Sequence, residues 1–131
     1  MKEQVLLFHF EERERLSALQ KALLPLHITC HVVPEEQWNM PVGALVGLET
    51  LPQEDPECAE LTAEVLLMCG LTENSLQAVL AALRKAGLYI PYKAFLTQTN
   101  KDWNVGQLFG ELYQEHQYMM AMQREKQNRQ Q

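Results

Sequence analysis

The chain has 131 residues, of which 47% are hydrophobic and 21% charged, and its formal charge is −6. That length suits one domain able to bury about two-thirds of its unfolded surface, so it needs no disulfide or metal staple. The charge distribution excludes nucleic acid as an expected partner, since such binding relies on Lys and Arg displacing counterions. No Lys or Arg lies between Lys21 and Arg84, a span holding Glu35, Glu36, Glu49, Glu54, Asp55, Glu57, Glu60 and Glu64.

The first apolar run, Val5 to Phe10, is too short for a secretory leader and meets Glu11 at once. No run approaches the eighteen or so apolar residues of a membrane span, so a cytoplasmic, membrane-free protein is expected. Cys30, Cys58 and Cys69 are odd in number and form no close pair, which argues against a disulfide framework.

In chain order, Gln4–Phe10 suits a buried strand. Glu11–Leu26 suits a helix with Leu16, Leu19, Leu23 and Leu26 on one face, acidic in its first turn and disturbed by Pro25 near its end. His27–Val33 is β-branched enough for a second strand. Residues 34–61 are less regular; Trp38, Met40, Val42, Leu45, Val46 and Leu48 are expected to bury through one or two helical turns. The loop Leu51–Glu57, with two prolines, is the expected boundary between halves. Glu64–Cys69 reads as the third strand and Gly70 as its exit. Thr72 then caps a helix that buries Leu76, Val79, Leu80 and Leu83 and ends at Gly87. Ile90–Thr97 is the fourth strand. A last helix runs from Asn104 to near Met122, its apolar face made by Val105, Leu108, Phe109, Leu112, His116 and Met119. Residues 123–131 form a polar tail expected to fray.

The two halves resemble each other. Val5-Leu6-Leu7 and Val65-Leu66-Leu67 lie sixty residues apart, and Leu16, Leu19 and Leu23 align with Leu76, Val79 and Leu83 at the same offset. A Trp-Asn followed by Val-Gly-x-Leu-x-Gly occurs at Trp38 and again at Trp103. The expectation is one α/β (α+β) domain over 1–131: a first βαβ-like half over 1–50 and a second βαβα half over 62–122, built on a four-stranded sheet. An antiparallel, ferredoxin-like two-layer sandwich is favoured, with a doubly wound parallel sheet as the alternative.

The strand Val65–Met68, the segment Leu83-Arg84-Lys85-Ala86-Gly87-Leu88 and above all Lys93-Ala94-Phe95-Leu96-Thr97-Gln98-Thr99-Asn100-Lys101-Asp102-Trp103 resemble an uncharacterised bacterial family, a domain of unknown function. In that family a Lys-Ala-x-Leu-Thr-x-Thr-Asn-x-x-Trp motif precedes a helix rich in Leu and Glu. The resemblance covers the second half of the chain. It implies a bacterial source and no assigned activity, cofactor or catalytic residue.

The best candidate ligand site is the loop leading into the last helix. Thr97, Thr99 and Asn100 offer polar groups, Lys93 and Lys101 offer charge, and Trp103 closes the loop, so a small anion could sit at the helix N-terminus. The competing reading is a self-bonded turn with a capping Asp102 or Asn104 and a Trp103 that seals the core. His9 and Cys69 end equivalent strands and would share an edge, within reach of one metal, only in a parallel sheet. Cys30 and His31 are strand neighbours on opposite faces and cannot form a nucleophile–base pair. Met119, Met120 and Met122 suit an adaptable contact surface or, equally, a fraying helix end. The expected function is a non-enzymatic binding or regulatory module without a cofactor, contacting a small anionic ligand or a protein, with a homodimer in view. The alternative is a small enzyme acting on an anionic molecule at the same loop by thiol or metal chemistry.

Overall fold

Val5, Leu6, Leu7 and Phe8 are all fully buried, and the strand they form, β1 (Gln4–Phe8), lies inside a four-stranded sheet. The architecture is that of a computed structural model that describes residues 1–51 and 60–129. Most of the expected boundary loop, with Cys58, falls outside those residues. After β1 the chain runs through α1 (Arg13–Leu23) into β2 (Thr29–Val32), and β3 (Val65–Cys69) leads through α2 (Glu73–Lys85) into β4 (Tyr92–Phe95). The last element is α3 (Val105–Arg129).

The sheet order is β2-β1-β3-β4. β2 runs parallel to β1 and β4 parallel to β3, whereas β1 and β3 are antiparallel with Leu6 opposite Leu67. The α+β class and the four strands are therefore as expected, but the sheet is mixed. It is neither the antiparallel ferredoxin-like sheet nor the parallel one. Each helix returns the chain to a strand beside and parallel to the one it left, as a crossover helix does. The two βαβ units then join through their most apolar strands, which bury each other's edges.

A second correction concerns the layers. Every residue of β3 is buried, as in strands covered on both faces. Val5, Leu7, Leu66 and Met68 pack with Leu19 and Leu23 of α1 and Val79 and Leu83 of α2. Leu6, Phe8, Val65, Leu67 and Cys69 pack on the other side with Val33, Trp38, Val42, Val105 and Leu108. The result is three layers rather than two, with α3 and the segment after β2 forming the third. Each fully buried Leu or Val here contributes about 1.5–3 kcal/mol of apolar transfer free energy.

Local chemistry sets the element ends. α1 stops at Leu23 and tightens into a 3-10 turn, Leu24–Leu26, that accommodates Pro25. The Thr72 hydroxyl accepts from the Ser75 backbone N–H at 3.1 Å and caps α2. Left-handed residues recur in corresponding places. His9 (φ 65°) follows β1 as Gly70 (φ 71°) follows β3, and His27 (φ 59°) follows the first helical segment as Gly87 (φ 71°) follows α2.

Residues 34–51 hold two 3-10 turns, Glu35–Gln37 and Ala44–Val46. They bury Trp38 and Val42, while Met40 is exposed, contrary to expectation. α3 continues to Arg129, seven residues beyond its expected end at Met122. Gln, Arg, Glu and Lys are good helix formers and extend a helix without any apolar pattern.

Candidate functional site

The Thr97–Trp103 loop is built around one buried polar side chain. Asn100 Oδ1 accepts from the Thr97 backbone N–H at 2.8 Å, and the Asn100 N–H donates to Thr97 Oγ1 at 3.1 Å. Asn100 Nδ2 donates to the Phe95 carbonyl at 2.7 Å. The side chain thus ties the end of β4 to a 3-10 turn, Asn100–Asp102.

The same loop docks the connection that follows β2. The Val42 N–H donates to the Trp103 carbonyl and the Gly43 N–H to the Lys101 carbonyl, both at 2.8 Å. Lys101 Nζ donates to the Glu49 carbonyl at 3.1 Å, and the Leu51 N–H donates to Asp102 Oδ1 at 2.9 Å. Trp103 is half-buried against the core of the third layer. Asn104 Oδ1 accepts from the Gln107 N–H at 2.9 Å at the start of α3.

Of the six candidate ligand residues, Thr97, Asn100, Lys101 and Trp103 are brought together, and each is engaged with the protein itself. Thr99 is exposed within the loop. Lys93 donates from Nζ to the Ile90 carbonyl, and burial pulls its ammonium below the usual lysine value.

The thiols and imidazoles are dispersed. Cys69 pairs with Gln4 at one end of the β1–β3 ladder, and His9 follows Phe8 at the other. The antiparallel arrangement therefore holds His9 and Cys69 apart. Among the described residues no three His, Cys, Asp or Glu side chains gather as a metal site. Cys69 is fully buried, and burial pushes its thiol up to about 12. That is the opposite of the lowered value a nucleophilic thiolate needs. Cys30 is shifted upward by burial as well.

A cleft of about 320 Å³ opens beside His9, Glu11, Glu12, Arg15, Glu64 and Pro91. Arg15 spans it, with Nη2 2.7 Å and Nε 3.1 Å from the Glu64 carboxylate and a further bond from Nη2 to the Tyr89 carbonyl. The hydrogen bond to Glu64 raises the Arg15 pKa. His9 stacks edge-on against Trp38, and its Nδ1 lies 3.4 Å from Glu11 without forming a hydrogen bond. The Arg15–Glu64 pair escapes sequence reasoning because its members lie 49 residues apart with nothing local to link them.

α3 is the remaining feature. Val105 and Leu108 are buried in the core, Phe109 and Leu112 pack against it, and Tyr92 makes edge contacts with Phe109 and His116. Beyond His116 every described side chain is exposed, including Tyr118 (67%), Met119 (60%) and Met122 (42%). Glu115 and Lys126 share a helical face with Met119 and Met122 through the spacing i, i+4, i+7, i+11. That spacing is the signal that brings these two charged residues into view. Among the described residues no helix is long and apolar enough to cross a membrane.

A family model described as a domain of unknown function (DUF3783) matches residues 64–119. The matched stretch runs from the start of β3 into the middle of α3 and contains the whole of the Thr97–Trp103 loop. Comparison with curated proteins and with solved structures finds no match.

Proposed function

We propose that this chain is a non-enzymatic protein-binding module of the bacterial cytoplasm, made of two duplicated βαβ units, whose contact surface is the projecting half of α3. The observation that carries this reading is the uninterrupted exposure of α3 beyond His116, where tyrosine and methionine side chains face solvent. A single helix of some twelve residues without tertiary contacts is marginal in water. Methionine is a side chain that adapts to varied partner surfaces. In this reading the Thr97–Trp103 loop is a structural connection that fixes where α3 leaves the body, since Thr97 and Asn100 bond within the loop and to Phe95 while Lys101 and Asp102 bond the segment after β2. The free thiols of Cys30 and Cys69 support a reducing compartment, the recurrent left-handed positions support duplication, and the family resemblance supports a bacterial source.

Truncation after Gln117 tests the reading, because it leaves the contact of His116 with Tyr92 in place. The shortened chain is expected to melt within about 3 °C of the full chain, corresponding to less than ~1 kcal/mol. A fall of ten degrees or more in calorimetry would make the distal helix part of the fold and sink the proposal.

A further inference from the structure

Glu115, Met119, Met122 and Lys126 form a stripe along the exposed half of α3, and all four are exposed. The order acid, methionine, methionine, base is self-complementary when reversed. We infer that the occupant of this surface is a second copy of the same chain, paired antiparallel through α3 about a twofold axis between residues 120 and 121. The inference rests on the protein-binding reading above and names the partner.

In that arrangement Glu115 of one copy faces Lys126 of the other, and Met119 faces Met122 of the other, each contact occurring twice. The stripe has the spacing of a coiled-coil seam, so the methionines pack as knobs while the charged ends set register. A twofold axis makes the interface closed, and it adds no third copy. A parallel pairing would instead oppose Glu115 to Glu115 and Lys126 to Lys126.

The stripe runs from Glu115 to Lys126 within α3, roughly 16 Å at 1.5 Å per residue, and in the antiparallel register the two stripes lie side by side over that length. Of the other charges between Glu115 and Lys126, Arg124 lies on the opposite face of the helix, and Glu125 is at the flank of the stripe. The contact is small beside a standard interface of about 800 Å² per partner, so the dimer is concentration-dependent.

Sedimentation equilibrium of the full chain from about 1 µM to 1 mM reads the association directly. Glu115→Lys and Lys126→Glu are each expected to raise the dimer dissociation constant roughly tenfold or more, since two attractive pairs become repulsive. Both positions are exposed, so circular dichroism and melting temperature near 1 µM, where the original chain is monomeric too, should be unchanged. A one-to-one mixture of the two variants is expected to form a heterodimer at least as well as the original chain dimerises, because every facing pair is then opposite in charge. Monomeric behaviour of the original chain up to 1 mM overturns the self-pairing, as does a dimer whose affinity neither reversal moves. If the chain stays monomeric while truncation after Gln117 leaves the melting temperature intact, only the self-pairing falls. If truncation unfolds the body, the protein-binding reading falls with it.

Discussion

Asn100 shows how one side chain can look like a ligand group in sequence and act as a bracket in the fold. Its amide satisfies the Thr97 N–H and the Phe95 carbonyl together, and it is 8% exposed. Asn100→Ala removes both of these part-buried hydrogen bonds, at about 0.5–1.5 kcal/mol each. A melting-temperature drop of roughly 3–9 °C is therefore expected; a variant with unchanged melting would return the loop to the list of ligand sites. Cys69 is the residue-scale counterpart for chemistry. With its thiol pushed by burial from the ordinary cysteine range up to about 12, the thiolate fraction at pH 8 falls about a thousandfold. Cys69 is expected to resist iodoacetamide in the folded protein and to react readily in urea, as followed by peptide mapping. The same shift has a stability consequence. Between pH 9 and 12 the unfolded chain loses the Cys69 proton while the folded chain keeps it, so stability contributed by this group declines as pH rises through that window.

Local elements were the most legible in the sequence, and their assembly the least. β3 and α2, with the Thr72 cap and Gly87 exit, follow from residues within a few positions of each other, and the structure has them where they were expected. Strand direction depends on which edge meets which, a non-local choice that no periodicity encodes, and so both anticipated sheets were wrong in detail. The docking of residues 42–51 onto the loop before α3 was hidden for a related reason. Two of its bonds run between backbone atoms, which any sequence supplies, and two use the Lys101 and Asp102 side chains; a further sequence-specific requirement is Gly43. An added Cβ there would lie 2.9 Å from the Lys101 carbonyl oxygen and 2.9 Å from Lys101 Cβ. Gly43→Ala must push the two connections apart, breaking the Gly43–Lys101 bond and loosening Val42 from the core. A loss of about 2–4 kcal/mol in urea unfolding is expected from combined overpacking and lost bonding. Gly87→Ala gives a contrast, because nothing lies within 4 Å of its added Cβ. Only the left-handed backbone is penalised there, at roughly 1–2 kcal/mol.

At the scale of the whole molecule, the body and the distal helix should differ in stability as well as in exposure. The body holds two apolar cores on either side of β1 and β3, so the amides of those strands open only with global unfolding. Among the described residues the distal half of α3 has no such support beyond His116. Its intrahelical hydrogen bonds alone give the marginal stability of a short isolated helix. Hydrogen exchange measured at two protein concentrations separates the contributions. Near 1 µM, amides from Tyr118 onward are expected to exchange close to the unprotected rate, while those of Val105–Leu112 stay protected by packing on the sheet. Near 1 mM, pairing with a second copy should slow the distal amides several-fold and leave β1 and β3 unchanged, since mass action stabilises only what the association orders. Equal distal protection at both concentrations would mean that the helix is held by its own chain, and its exposed methionines would then need an explanation other than a partner.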